Sequence, residues 1–419
     1  MEMTELGICR LLTDCLRKDD RPIELSLLSG LSPEQWQALL AFATVQRVKS
    51  LLWYRLRQKG LDEAVPTETA KKFHEDSFRN TAHNLRFYDE LRRLLSALKP
   101  EGISLILLKG IFLAQGVYSN IGCREMNDID ILARPEHLER IAAILTGMGY
   151  APIEPISAHI TINAEHHLPR IIKPGHGNFE IHWNLTSPDK KYSIRPEELW
   201  ERAKPAHIDG FDALTLSPED LLLHLCLHTS YQHQFVFGLR PFCDIAETIA
   251  HFGPALNWQI TLERAFQWGW QRGVYLALRL AQELVGADVP ADILERLRPS
   301  DIPEAVLETV RTQIFGDKGF ARSITLPFAE LLESRHFIDK IRIFWRRVFL
   351  PRAIIASLYS VPTDSLRIYC YYPRRIVDVL RRHGHILRKY HQNDGVVKSL
   401  VERTNSIANW LNGSTHYGK

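Results

Sequence analysis

A lysine and a glycine, Lys109-Gly110, end an apolar run from Ile103 to Leu108, and two aspartates flank one isoleucine in Asp128-Ile129-Asp130-Ile131-Leu132-Ala133. The first run is rich in branched aliphatic residues and too short for a solitary helix, which predicts a buried strand. Ile111 to Tyr118 then carries apolar residues at helix-compatible spacings, so the N–H groups near Gly110 should open a helix. Such a terminus attracts anions through its unpaired donors and its positive dipole end. Gly110 would let a phosphate approach the backbone closely, and Lys109 would add a full positive charge. In the second run, strand alternation sets Asp128 and Asp130 on one face and the isoleucines on the other. Two anions about 6 to 7 Å apart on a half-buried strand call for a cation between them. Hard divalent ions such as Mg²⁺ take carboxylate oxygens together with substrate phosphates, so the pairing predicts a metal-assisted phosphate-transfer site. An isolated Asp-x-Asp also fits a solvated pair at a strand edge.

Glu180 offers a third acid. Arg170 to Lys173 and Asn178 to Trp183 flank Pro174-Gly175-His176-Gly177, a turn-rich stretch that predicts a hairpin with Glu180 and His182 on one strand face. The alternative is an ordinary amphipathic hairpin with Glu180 in solvent. His182 reads as a supporting or structural residue rather than a ligand.

Leu108-Lys109-Gly110, Arg124, Asp128-Ile129-Asp130-Ile131-Leu132 and Glu180-Ile181-His182-Trp183 together resemble a bacterial family of uncharacterised nucleotidyltransferase-like proteins, within the superfamily typified by DNA polymerase β. The resemblance is specific over about residues 100 to 185 and looser to about residue 250. The wider superfamily usually has Gly-Ser at the turn, where this chain has Lys-Gly. What the resemblance implies is an α+β fold, a small mixed sheet flanked by helices with helical N-terminal and C-terminal regions. It also implies Mg²⁺-dependent transfer of a nucleoside monophosphate from an NTP such as ATP to a hydroxyl on a small molecule, peptide or glycan. Asp128, Asp130 and Glu180 would hold two Mg²⁺ ions for an in-line displacement, and Lys109, Gly110 and Arg124 would bind the phosphates. Arg124 fits an ion pair with a nearby acid equally well. Asp244 matches an aspartate that recurs in the family and would line the acceptor side or pin a helix; His166-His167 is family-like without an assigned role. A phosphotransferase or protein-modifying enzyme on the same scaffold, and a non-catalytic nucleotide-binding protein, are the alternatives.

The positioning elements follow from periodicity. Ser32-Pro33-Glu34 caps a helical stretch to about Gln58, and Pro66-Thr67 opens another to about Leu98, so residues 1–98 form a helical lead-in. Residues 99–215 form the catalytic core, in which Pro135 starts a helix with Leu138, Ile141, Ala142, Leu145 and Met148 on one stripe, ended by Gly149. Ser217-Pro218-Glu219-Asp220 begins a helical domain, residues 216–334. There His224 and His228 stand four apart with His233 beyond, but no Glu or Cys supplies a third zinc ligand at the usual spacing.

With 419 residues, 45% hydrophobic and 24% charged, the chain can bury a full core. Six cysteines without a CxxC pair suggest neither a zinc ribbon nor a disulfide framework, and no apolar run reaches a membrane-spanning length. A cytoplasmic protein is expected. Charge is polarised: residues 335–391 hold 13 Lys/Arg against 3 Asp/Glu, a local +10, while the remainder, 39 against 46, stands at −7. In the C-terminal region, residues 335–419, Ile376, Val379, Leu380, His383, Ile386, Leu387 and Tyr390 keep helical spacing, with Arg374, Arg375, Arg381, Arg382, Arg388 and Lys389 on other faces. Such a basic amphipathic helix, residues 374–390, suits peripheral contact with an anionic membrane surface or an acidic partner better than nucleic acid. It also fits a stripe packed on the body with solvated charges.

Overall fold

Ser32 closes a capping box: its hydroxyl accepts from the Gln35 N–H while the Gln35 side chain accepts from the Ser32 N–H. The helical stretch expected from there to about Gln58 comprises two helices, Pro33–Val45 and Lys49–Gln58. Arg47 adopts a left-handed φ of 57° between them. Gln46 turns into the core, accepting from the Leu239 N–H and donating to the Ile314 carbonyl. Thr67–Leu98 is one helix of 32 residues.

The computed structural model describes residues 5–19, 21–23, 25–153, 166–187, 194–316, 318, 324, 326–333, 345, 349, 352, 355, 359, 361, 365–392 and 394–413. The fold is α+β. Seven short strands form one mixed sheet: β1 Ile106–Leu107, β2 Ile129–Leu132, β3 Ala151–Pro152, β4 Ile171–Ile172, β5 Phe179–His182, β6 Lys204–Ile208 and β7 Phe211–Thr215. Their order is β3-β4-β5-β2-β1-β7-β6, with β2 running parallel to β5 and antiparallel to β1. The strands expected at Ile103–Leu108 and Asp128–Ala133 are shorter, so Asp128 lies one residue ahead of β2. The β6–β7 hairpin was not expected; it turns on Asp209-Gly210, both at positive φ, the conformation a two-residue type I′ turn requires.

Helices flank this sheet. Leu138–Gly147 buries Leu138, Ile141, Ala142 and Leu145, while Pro218–Leu227, Arg240–Phe252 and Gln271–Val285 build the helical half. One apolar core runs through the sheet and the helices around it. The basic helix Tyr371–His391 packs Leu387 and Tyr390 on a separate cluster around Phe328, Val397 and Leu400. The side chains of Val379, Leu380, Arg382, His383 and Ile386 lie outside the described residues.

Candidate active site

Two backbone pairings assemble the site. Leu108 N–H donates to the Asp130 carbonyl at 3.0 Å, which fixes the start of helix Lys109–Gly116 beside β2. Parallel pairing of β2 with β5 puts Asp130 opposite Glu180 and Leu132 opposite His182. Alternation then carries Glu180 and His182 to one face. Lys109 itself takes a φ of 44°, a region that L side chains rarely adopt.

From that turn the Lys109 ammonium donates to Asp130 Oδ1 at 2.8 Å, and His182 Nε2 lies 3.1 Å from the same oxygen. Glu180 Oε2 is 3.9 Å from His182 Nε2, while Arg170 holds Glu180 Oε1 at 2.6 Å. Asp130, Glu180 and His182 each present one ligand atom, all within 4.8 Å of one another. Two carboxylates and an imidazole are a donor set that suits a divalent cation. The expected trio was Asp128, Asp130 and Glu180. Asp128 stands outside this compact set and His182 inside it, although Asp130 and Glu180 both act on the Asp128 charge.

Electrostatics agree with the geometry. Burial opposes the Asp130 charge, but Lys109 and the His182 hydrogen bond outweigh it and hold the carboxyl far below the carboxylate range. Burial likewise opposes the Lys109 ammonium, and Asp130, Glu180 and Asp128 raise it above an ordinary lysine. Asp128 moves the other way: burial, then repulsion from Asp130 and Glu180, pushes it up to about 6. Burial and Lys109 lower His182, which keeps its imidazole neutral.

Arg124 is committed elsewhere. Its Nη2 donates to Asp244 Oδ2 at 2.8 Å and its Nε to Oδ1 at 3.1 Å, and Tyr118 Oη donates to Oδ1 at 2.8 Å. Arg124 and Asp244 thus form an ion pair that ties the segment entering β2 to helix Arg240–Phe252. Gly110 packs against the same guanidinium. A Cβ there would sit 2.6 Å from Arg124 Nη1 and 3.1 Å from Met126 Cγ, so the missing side chain admits the guanidinium.

A family model described as an uncharacterised nucleotidyltransferase matches residues 32–286. The chain belongs to this family. No curated protein and no solved structure matches it.

In this nucleotidyltransferase several positioning residues escape a reading of the sequence. Asn80 donates to the Gly122 carbonyl and Asn84 to those of Ile121 and Arg124; Tyr88 donates to the Ile111 carbonyl. His83 Nε2 lies 3.1 Å from the Met126 carbonyl. One face of helix Thr67–Leu98 therefore clamps the segment that enters β2. Glu90 on the same helix accepts from Tyr150 Oη at 2.9 Å and meets His176 at 2.6 Å, which anchors the β4–β5 turn. Around His182 the rings of His166 and His167 lie 5.6 and 5.3 Å away. His224 is fully buried, and its Nδ1 has no hydrogen-bond partner among the described residues. A 520 Å³ cavity lined by Lys49, Asp76, Arg79, His83, Arg86 and Glu125 adjoins the clamped segment, but none of Lys109, Asp130, Glu180 and His182 lines it.

Proposed function

We propose that the enzyme moves a nucleoside monophosphate from an NTP to an acceptor hydroxyl, supported by Mg²⁺. The observation that carries this reading is the convergence of Asp130 and Glu180, from two strands, on the ammonium of Lys109. Asp128, Asp130 and Glu180 would hold the metal, which supplies charge neutralisation on the triphosphate and the departing pyrophosphate. Lys109 would stabilise the same leaving group. The first turn of helix Lys109–Gly116 has no side-chain cap, so its N–H groups add donors for phosphate oxygens. Arg170, half exposed and already on Glu180, stands where it would meet incoming anionic substrate. His182 steadies the Asp130 carboxylate, and the Leu108 N–H holds the Asp130 carbonyl. Positioning and charge stabilisation supply the acceleration, as in phosphoryl transfer generally.

Incubation with α-labelled and γ-labelled NTPs tests the reading. Label from the α-phosphate on the acceptor supports it, label from the γ-phosphate points to a phosphotransferase, and metal-dependent binding without transfer points to a non-catalytic nucleotide binder. Asp128→Asn with Asp130→Asn abolishes transfer while leaving the far-ultraviolet spectrum native; turnover in that double variant refutes the site.

The basic helix Tyr371–His391 forms a second functional surface, suited to an anionic membrane surface. Arg374, Arg381 and Arg388 are exposed at steps of seven, with Val377 exposed between the first two. Leu366, Tyr369 and Trp345 are exposed nearby in the chain. Among the described residues no helix is long and apolar enough to cross a membrane, so the contact would be peripheral.

A further inference from the structure

We infer that His182 is a direct metal ligand, and that the site therefore favours a first-row transition ion over Mg²⁺. The inference rests on the metal-assisted reading above and replaces its Mg²⁺ with an ion that accepts a nitrogen ligand. His182 Nε2 lies 3.1 Å from Asp130 Oδ1 and 3.9 Å from Glu180 Oε2. Adjacent ligand atoms around an octahedral ion at about 2.1 Å stand about 3 Å apart, so one oxygen is already at ligand spacing and the other closes with a side-chain rotation. Arg170 occupies Glu180 Oε1 and leaves Oε2 facing the imidazole. The ring is fixed by its place on β5, where the His182 carbonyl accepts from the Ala133 N–H at 2.8 Å.

Chemistry decides the ion. Mg²⁺ takes oxygen ligands and keeps several waters, whereas an imidazole nitrogen beside carboxylates suits Mn²⁺, Co²⁺ or Zn²⁺. Ligation shifts the ring proton from Nε2, where it bonds Asp130 Oδ1 in the metal-free site, to Nδ1, so that the Nε2 lone pair takes the ion. Lys109 and the ion then share Asp130. A histidine that merely steadied Asp130 through a hydrogen bond would strengthen every ion alike.

The test titrates the full chain with Co²⁺ and with Mg²⁺ by calorimetry, without nucleotide. In His182→Asn the Co²⁺ affinity should fall at least tenfold and the Mg²⁺ affinity less than threefold. Equal losses for both ions overturn the ligand role. Should that buried substitution unfold the chain, pulsed electron paramagnetic resonance of the Mn²⁺-loaded wild type decides alone: ¹⁴N coupling from a bound imidazole supports the assignment, and its absence overturns it. His167→Asn should keep the coupling, and its loss there would move the ligand to the neighbouring ring and overturn the role of His182. A wild-type chain that binds no divalent ion sinks the metal-assisted reading too. Binding of Mg²⁺ and Mn²⁺ without ¹⁴N coupling sinks only this inference.

Discussion

Arg124 grips Asp244 through a two-bond fork, Nη2 to Oδ2 at 2.8 Å and Nε to Oδ1 at 3.1 Å, with both side chains buried. The fork ties the segment entering β2 to helix Arg240–Phe252. Burial alone would weaken the Arg124 charge, and Asp244 more than restores it. Arg240 is buried nearby, and burial together with repulsion from Arg124 pushes it down to about 9. Asp244→Ala would leave the buried Arg124 guanidinium without its carboxylate and Tyr118 without an acceptor. Removing one member of a buried pair costs about 3–5 kcal/mol, so urea unfolding should show a loss of that size. Replacing both Arg124 and Asp244 by Leu should cost less than Asp244→Ala alone. The reverse order would show that the fork is not an ion-pair unit.

Lys109 serves as the resident counter-ion of Asp130 at 2.8 Å. Lys109→Met strands a buried carboxylate, which destabilises the metal-free chain by about 3–5 kcal/mol. A divalent ion then replaces the lost charge, so added metal should raise the melting temperature of the variant more than that of the wild type. Transfer activity should nevertheless fall, since the leaving group loses its cation. Thermal melts with and without metal check this, and equal metal-induced shifts in the two proteins would contradict it.

Acid should destabilise the fold, and the sign follows from the histidines. Burial, reinforced by neighbouring positive charge, pushes His166 down to about 2 and His233 to about 3, and lowers His224 and His228 well below the ordinary value of 6.5. In the unfolded chain they protonate near 6.5, so from there down the unfolded state binds more protons. Their contribution is complete above about pH 6.5 and is lost as pH falls towards the folded values. Asp128 acts in the opposite sense: raised from 3.8 to about 6, it adds stability at low pH that disappears as pH rises through 6. Four histidines outweigh Asp128 and Glu125, the latter also raised by burial, while the lowered Asp130 adds its loss only as pH falls to its unfolded value of 3.8 and below. Urea midpoints should therefore drop between pH 7 and pH 5; a midpoint that rises over that interval would show the histidines to be solvated.

Local signals account for what the sequence revealed of the site. The apolar run into Lys109-Gly110, the Asp-x-Asp strand and the turn at Pro174–Gly177 are each written in neighbouring residues. Which of the acids form the compact set depends on the register of β2 against β5, a pairing across fifty residues that no local pattern encodes. Only that register brings His182 beside Asp130 and Glu180. Asn80, His83, Asn84 and Tyr88 sit at helical steps, but an amphipathic pattern marks apolar residues and is silent about polar ones that meet backbone carbonyls. The hairpin on Asp209-Gly210 is masked in the sequence because Lys204, Pro205 and Asp212 spoil the alternation of its strands. The pairing of Arg124 with Asp244 spans 120 residues and needed the fold itself.

Docking of the basic helix to anionic lipid can be separated from simple solvation of its charges. Arg374, Arg381 and Arg388 lie along one exposed line of helix Tyr371–His391, while Leu387 and Tyr390 face the body. Each basic residue near an anionic surface contributes about 1 kcal/mol, so Arg374→Ser, Arg381→Ser and Arg388→Ser together should weaken vesicle binding about a hundredfold. The full chain should sediment with phosphatidylserine vesicles at low salt, release as salt rises, and ignore purely zwitterionic vesicles. Because none of the three arginines touches the Lys109–Asp130 site, nucleotide transfer in solution should be unchanged in the triple variant. A wild-type chain that stays in the supernatant at every salt concentration would remove the membrane and leave an acidic protein as the partner for this face.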